Sequence, residues 1–341
     1  MGRQHLIAAF LLLLSTLCAC RGGERPAADD TDTIAPGVYY WKTTFDLNAW
    51  ERDFISRHHI GRIYLRLFDV DWDIDYDGQA KPIPIATTVF RDSVPKGIEV
   101  VPVVFITGEA LKQYYHLAPL LYGRIKAMAR RNGFEHFREL QLDCDWTRTT
   151  KVRFYDLCEE MCRLAHADSV AVSATIRLHQ LRDTLPPVDR GVLMMYNTGA
   201  VRNAATRNSI LDSKDVAPYL KTDVTAALPL SIAYPAYSWG VLLRDGHFER
   251  LLHASSFDDP ARYRRLKDNT YEVTTPHYLD GQTLQKGDVI RLEHSDAAQI
   301  THVKALAARR LHPAPQSAVI YHLDSANLSR YSADTIEQIL K

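Results

Sequence analysis

Short apolar runs alternate with amphipathic stretches along most of this 341-residue chain. Val38-Tyr39-Tyr40-Trp41, Arg62 to Phe68, Ile98 to Ile106 and Leu140 to Asp145 read as strands. So do Ser169 to Thr175, Gly191 to Tyr196, Leu228 to Tyr234 and Ala318 to Leu323. Between them, Leu47 to His58, Glu109 to Asn132, Val152 to His166, Ser213 to Leu220 and Ala333 to Leu340 carry apolar residues at helical spacing. Asn132-Gly133 is a stop signal for the second of these helices. Eight strands alternating with helices predict an α/β fold, a (β/α)8 TIM barrel spanning 36–341. An open doubly wound sheet is the alternative, but no glycine-rich phosphate loop follows the first strand. The connection between strands 7 and 8 is long and reads as an insertion. It carries Tyr271 to Val273 and Val289 to Leu292 as a hairpin, with Asp280-Gly281 between.

The fourth strand has an unusual face. Alternate side chains of a strand share a side. Gln141, Asp143 and Asp145 therefore point one way, and Leu142, Cys144 and Trp146 the other. The following helix should cover the apolar side, so the polar side must face an enclosure. Two carboxylates there are costly without a task. At the strand spacing their Cα atoms lie roughly 6.5 to 7 Å apart. One carboxyl would then raise the other's pKa and become a plausible proton donor. The alternative is a charge network inside the barrel, with Arg66 and Gln141 as partners.

A barrel works at the C-terminal ends of its strands. That rule nominates Arg66, Asp69, Asp71, Thr107, Glu109, Asp143, Asp145, Thr175, Arg177, Tyr196, Asn197, Tyr234, Tyr237, Trp239, His322, Asp324 and Asn327. The mouth is thus acidic and aromatic. Aromatic faces stack on sugar rings while carboxylates and amides bond their hydroxyls, so a glycan is the expected partner. Arg66, Asp71, Asn197, Tyr234, Trp239 and Asp324 are the expected substrate-binding residues. The run Asp69, Asp71, Asp73, Asp75 and Asp77 reads as a solvated acidic loop. It lacks the central Gly and closing Glu of a calcium loop.

Charge and cysteine usage narrow the class. Lys plus Arg equals Asp plus Glu at 41 each, and no basic stretch has the density of a nucleic-acid footprint. The N-terminus carries Arg3 and His5 and then an apolar run, Leu6 to Leu14, too short for a mature span. Leu17-Cys18-Ala19-Cys20 closes it and resembles a bacterial lipobox. That resemblance implies a lipoprotein signal at 1–20, diacylglycerol on Cys20 and an envelope protein on a lipid anchor. Residues 21–35, rich in Asp, Gly, Pro and Ala, read as a flexible tether. The domain beyond keeps Cys144, Cys158 and Cys162, an odd count without a CxxC pattern, against disulfides and zinc. No His-x-x-x-His pair and no Gly-x-Ser-x-Gly elbow occurs. Neither a metal nor a cofactor is expected.

Two motifs carry a family resemblance. Asp143-Cys144-Asp145-Trp146 resembles the Asp-x-Asp-Trp-Glu core at the fourth strand of chitinase-like (family 18) glycoside hydrolases. Met194-Met195-Tyr196-Asn197, preceded by Val188-Asp189, resembles their sixth-strand Met-x-Tyr-Asp. By position, Asp145 and Tyr196 would hold the substrate N-acetyl group during substrate-assisted cleavage. The chain is also similar to uncharacterised bacterial lipoproteins with a barrel of this type. It departs from the glycosidase pattern at the acid itself, where Thr147 stands for Glu. Thr147 cannot protonate a leaving oxygen. Catalysis would then fall to Asp143, Asp145 and Tyr196 with Glu109 as replacement acid, and Asp71 and Asp324 behind it. The alternatives are a glycan-binding barrel that has lost its acid and a scaffold lipoprotein.

Overall fold

The computed structural model describes residues 34–74, 77–113, 116–253 and 256–341. The leader 1–20 with Cys20, most of the tether at 21–35, and Asp75 lie outside the described residues.

Eight parallel strands close into a barrel. They are β1 (Gly37–Tyr40), β2 (Arg62–Ile74), β3 (Glu99–Ile106), β4 (Glu139–Asp143), β5 (Ala171–Arg177), β6 (Arg190–Met194), β7 (Leu230–Pro235) and β8 (Ala318–Tyr321). Each pairs with the next, and β1 pairs with both β8 and β2, with Gly37 opposite Val319 on one side and Arg62 on the other. The strand rule of alternation therefore sorts every side chain to the lumen or to the helices. Val38, Tyr40, Leu65, Leu140, Leu142, Leu193 and Ile320 join the main core outside the barrel. Tyr39, Tyr64, Val101, Val103, Val192, Met194, Tyr196, Ala233 and Val319 fill the lumen. Tyr39 stacks on Tyr64 with ring centroids 4.9 Å apart.

The helices that cover the barrel include α1 (Ala49–Arg57), α2 (Leu117–Arg131), α3 (Lys151–Ala167), α4 (Ala297–Arg310) and α5 (Ala333–Leu340). A capping box starts α1: Asn48 accepts from the Glu51 amide, and the Glu51 side chain returns a bond to the Asn48 amide. The expected helix from Glu109 to Asn132 is two helices, Gly108–Gln113 and α2. Pro119 sits in the first turn of α2, where its missing N–H costs nothing, so the second helix begins there. The acidic run is not a loop as far as Asp73. Asp69, Asp71 and Asp73 continue β2, which pairs antiparallel with Ala80–Ile85, Asp69 opposite Ile85. A strand partner, unseen in the local composition, holds that run extended.

Between β7 and β8 the chain builds a five-stranded antiparallel sheet. Its order is His247–Leu252, Ser238–Arg244, Val289–His294, Thr270–Val273, Tyr263–Lys267. Leu242, Leu252, Phe257, Tyr271, Val273, Leu284 and Ile290 give it a core of its own. Thr270–Val273 does pair antiparallel with Val289–His294. They are not joined by one turn, because Asp280-Gly281 closes a separate small hairpin, His277–Leu279 with Gln282–Leu284.

Candidate functional site

The lumen face of β4 stays polar from bottom to top, and each side chain has partners. At the bottom, Glu139 accepts from Arg62 Nη1 at 2.9 Å and lies 3.6 Å from Arg190 Nη1. In the middle, Gln141 Oε1 accepts from the Tyr39 hydroxyl at 2.6 Å, and its amide donates to Ser173 Oγ at 3.3 Å. At the top, Asp143 Oδ1 accepts from Thr175 Oγ1 at 2.6 Å. Burial pushes the Asp143 carboxyl above the ordinary range. The Arg177 guanidinium and the Thr175 bond pull the other way, and Asp145 adds a smaller upward push.

Asp143 and Asp145 are not a facing dyad. The strand ends at Asp143, which pairs with Phe105 of β3, and past it no ladder maintains alternation. The Asp145 side chain is 61% exposed and accepts from Arg177 Nε at 2.6 Å. Arg177 thus pairs with Asp145 and acts on Asp143 only through its charge, and the expected role of Arg66 as their partner is not met. Arg66 instead makes a two-pronged pair with Asp69 on its own strand and lies over the Trp41 ring.

Three adjoining cavities occupy the mouth. The central one, about 640 Å³, takes its charged wall from Asp69, Asp143, Arg177, His322 and Asp324. Trp41, Tyr196, Tyr237, Trp239 and Tyr321 supply its aromatic wall. Arg177, Tyr196 and Asn197 are shared with a second cavity of about 390 Å³ that holds Asp145, Trp146 and Thr147. Tyr237 and Asn327 are shared with a third of about 470 Å³ beside Asp296, Arg330 and Tyr331.

The aromatic wall is a continuous packed set. Tyr196 stacks on Tyr321 at 4.7 Å and meets Tyr237 edge-on at 6.1 Å. Tyr237 leans on Trp239 at 5.2 Å, and Trp41 on Tyr321 at 5.9 Å. Polar bonds fix the tips. Tyr237 donates to Asn197 Oδ1 at 2.7 Å, and Asn197 sits in the left-handed region at φ 54. Trp239 Nε1 donates to Glu293 Oε2 at 2.8 Å. Glu293 is fully buried and also takes the Ser209 amide at 2.9 Å and Arg291 Nε at 2.6 Å. Arg291 in turn donates to the carbonyls of Val201, Asn203 and Ala204. The loop after β6 is thereby tied to the insertion sheet that presents Trp239.

Among the described residues, two buried atoms of the residues that line the central cavity, Arg177 Nη1 and His322 Nδ1, have no side-chain hydrogen-bond partner. Burial also lowers the His322 pKa, which favours the neutral ring at pH 7.

Of the residues the sequence nominated, Asp143, Tyr196, Asn197, Trp239 and Asp324 come together around the central cavity, with Asp145 in the next one. Trp239 belongs to a strand of the insertion sheet, not a loop. Asp324 caps the turn Ser325–Leu328 by accepting from the Asn327 amide at 3.0 Å. Four others stand elsewhere. Tyr234 is buried among the helices, because its neighbour Ala233 takes the lumen position. Glu109 starts its helix, 59% exposed, paired with Lys112 at 2.6 Å. Asp71 accepts from Thr107 Oγ1 at 2.6 Å, outside the cavity wall. Arg66 stands behind the wall against Asp69. Sequence reasoning missed Trp41 and Tyr321 as site residues and left Arg177 among the strand-end candidates. Tyr321 was detectable, since it lies two past lumen-facing Val319 on β8.

The barrel has counterparts among solved structures. The chitinase from Chromobacterium violaceum superposes with a TM-score of 0.53 at 11% identity, covering 89% of this chain and 99% of its own. The Ostrinia furnacalis Group II chitinase catalytic domain 2, in complex with penta-N-acetylchitooctaose, gives 0.50 at 11%, covering 90% and 96%. The Group IV chitinase of the same insect gives 0.50 at 9%, covering 89% and 98%. The fold is that of chitinase-like glycoside hydrolases. At these identities the likeness concerns the fold alone. No protein-family model matches the sequence, and no curated protein matches it significantly.

Proposed function

We propose that this chitinase-like barrel binds a glycan at its mouth without hydrolysing it, and that a lipid on Cys20 tethers it to a bacterial envelope membrane. The observation that carries the binding reading is the continuous aromatic wall of the central cavity, Tyr196, Tyr237, Trp239 and Tyr321, set beside Asp69, Asn197 and Asp324. Aromatic faces beside carboxylates and amides suit the apolar faces and hydroxyls of sugars. The adjoining cavities offer room for more than one ring.

The loss of hydrolysis rests on the carboxylates. The acid position is Thr147, whose amide is bonded by Thr150 Oγ1 at 2.9 Å. Asp69, Asp145 and Asp324 at the mouth each already hold a cation or an amide. Asp143 has a raised pKa, but it is buried and bonded by Thr175. One observation favours hydrolysis: that raised pKa would suit a proton donor.

Calorimetric titration with chitooligosaccharides, peptidoglycan fragments and host N-glycan fragments tests the reading, with product analysis in parallel. The expected result is saturable binding of at least one class with no new reducing ends. Trp239→Ala should weaken that binding at least about tenfold, the usual effect of losing a central aromatic anchor. Absence of binding across the panel defeats the proposal. New reducing ends that vanish in Asp143→Asn establish the enzyme instead.

A further inference from the structure

Away from the mouth, one side-chain cluster mixes a thiol, an imidazole and a carboxylate. Cys162 and His166 stand four residues apart on α3 and so share a face. Asp189 lies in the segment immediately before β6. One donor atom from each of the three lies within 4.8 Å of the other two. His166 Nε2 is already 2.9 Å from Asp189 Oδ2. The same oxygen accepts from the Val172 amide at 2.7 Å, and the Cys162 thiol donates to the Pro187 carbonyl at 3.5 Å.

We propose that Cys162, His166 and Asp189 form a binding site for a zinc-class divalent cation on the outside of the barrel. Donor chemistry selects the ion. Thiolate with imidazole suits zinc and its neighbours, whereas calcium and magnesium require shells of oxygen. With bonds of about 2.0 to 2.3 Å, a tetrahedral zinc holds its donors between about 3 and 4 Å apart. Rotation of the Cys162 and His166 side chains closes the remaining gap. Both stand on one turn of a regular helix, and Asp189 is fixed by a backbone amide, so the site is largely built before the ion arrives. Three protein ligands leave the fourth position to water. Binding forms the sulfur–metal bond, releases the thiol proton to solvent and ends the bond to Pro187 O. No redox change takes place. The site does not depend on the glycan reading.

Full-length protein, reduced and stripped with chelator, is titrated with cobalt(II) as a coloured probe and then with zinc. The expected result is one cobalt per chain with a near-ultraviolet thiolate-to-cobalt charge-transfer band, displaced by zinc. Zinc should also raise the melting temperature. Cys162→Ser should abolish the band although Cys144 and Cys158, both buried, and Cys18 and Cys20 of the N-terminal segment remain. His166→Ala, at a half-exposed position that folding does not need, should weaken affinity at least tenfold. Absence of the band in the wild-type protein overturns the proposal. So does a band that survives Cys162→Ser, or unchanged affinity in His166→Ala.

Discussion

Asp143 stands at the barrel mouth, and its burial there has a consequence for stability. Its folded pKa is raised because burial outweighs the pull of Arg177 and Thr175. The native state therefore binds this proton more tightly than the unfolded chain. The contribution to stability is fully present below the ordinary value of 3.8 and is lost as pH rises through the folded value. At neutral pH the ionised group is a net liability, already allowing for Arg177. Asp143→Asn keeps an acceptor for Thr175 and removes that charge. The variant should melt no lower than wild type at pH 7, and the difference should shrink as pH falls toward 3.8. A thermal series across that range checks this, and a clearly less stable variant at neutral pH contradicts it. Asp145 teaches the opposite lesson. Its spacing from Asp143 is that of a strand, but the ladder stops two residues too early to impose the alternation.

At the scale of elements, the insertion sheet and the loop after β6 are held as one by the Glu293–Arg291 pair. Glu293 is fully buried and joins Trp239, Ser209 and Arg291. Removing one member strands a buried charge, which costs about 3–5 kcal/mol. Glu293→Ala should therefore lower the denaturation midpoint by an amount equivalent to that range. It should also weaken glycan binding, because Trp239 loses the acceptor that orients its ring. Equilibrium denaturation checks the first and titration the second; an unchanged midpoint would sink this account of the interlock. Element positions were largely legible. All eight barrel strands start within two residues of where alternation and apolar runs put them, and β2 runs on to Ile74, past its expected end at Phe68. The single helix at Glu109 was wrong because the proline in a first turn was not given its weight. The acidic run was wrong because its strand partner, Ala80–Ile85, announces itself only through pairing.

The whole molecule joins a described barrel to an N-terminal segment with a lipobox-like sequence. Among the described residues no helix is long and apolar enough to cross a membrane. Stable membrane attachment by the proposed route would then rest on acyl chains at Cys20, and more than one chain is needed for it to last. Cys20→Ala, with Cys18 kept, should abolish palmitate labelling in bacterial cells and move the protein out of the membrane fraction. Labelling that persists in this variant would exclude Cys20 as the anchor.

The one-dimensional pattern determined the barrel, the lumen-facing order of β4 and the acidic, aromatic lining of the mouth. Each follows from periodicity and from the rule that strand ends carry function, both local properties of a sequence. It also located Tyr196, Asn197, Trp239 and Asp324, because the chain just past a strand runs along the rim of the mouth, although the same rule nominated Glu109. Only the tertiary structure decided who partners whom. Arg177 rather than Arg66 serves Asp143 and Asp145, Glu109 stays on the surface, and Tyr234 faces the helices. Those outcomes depend on where a ladder stops and on which of several inward chains reaches across the lumen. Such distances arise between segments 30 or more residues apart, as between Asp143 and Thr175, and no pattern along either segment encodes them.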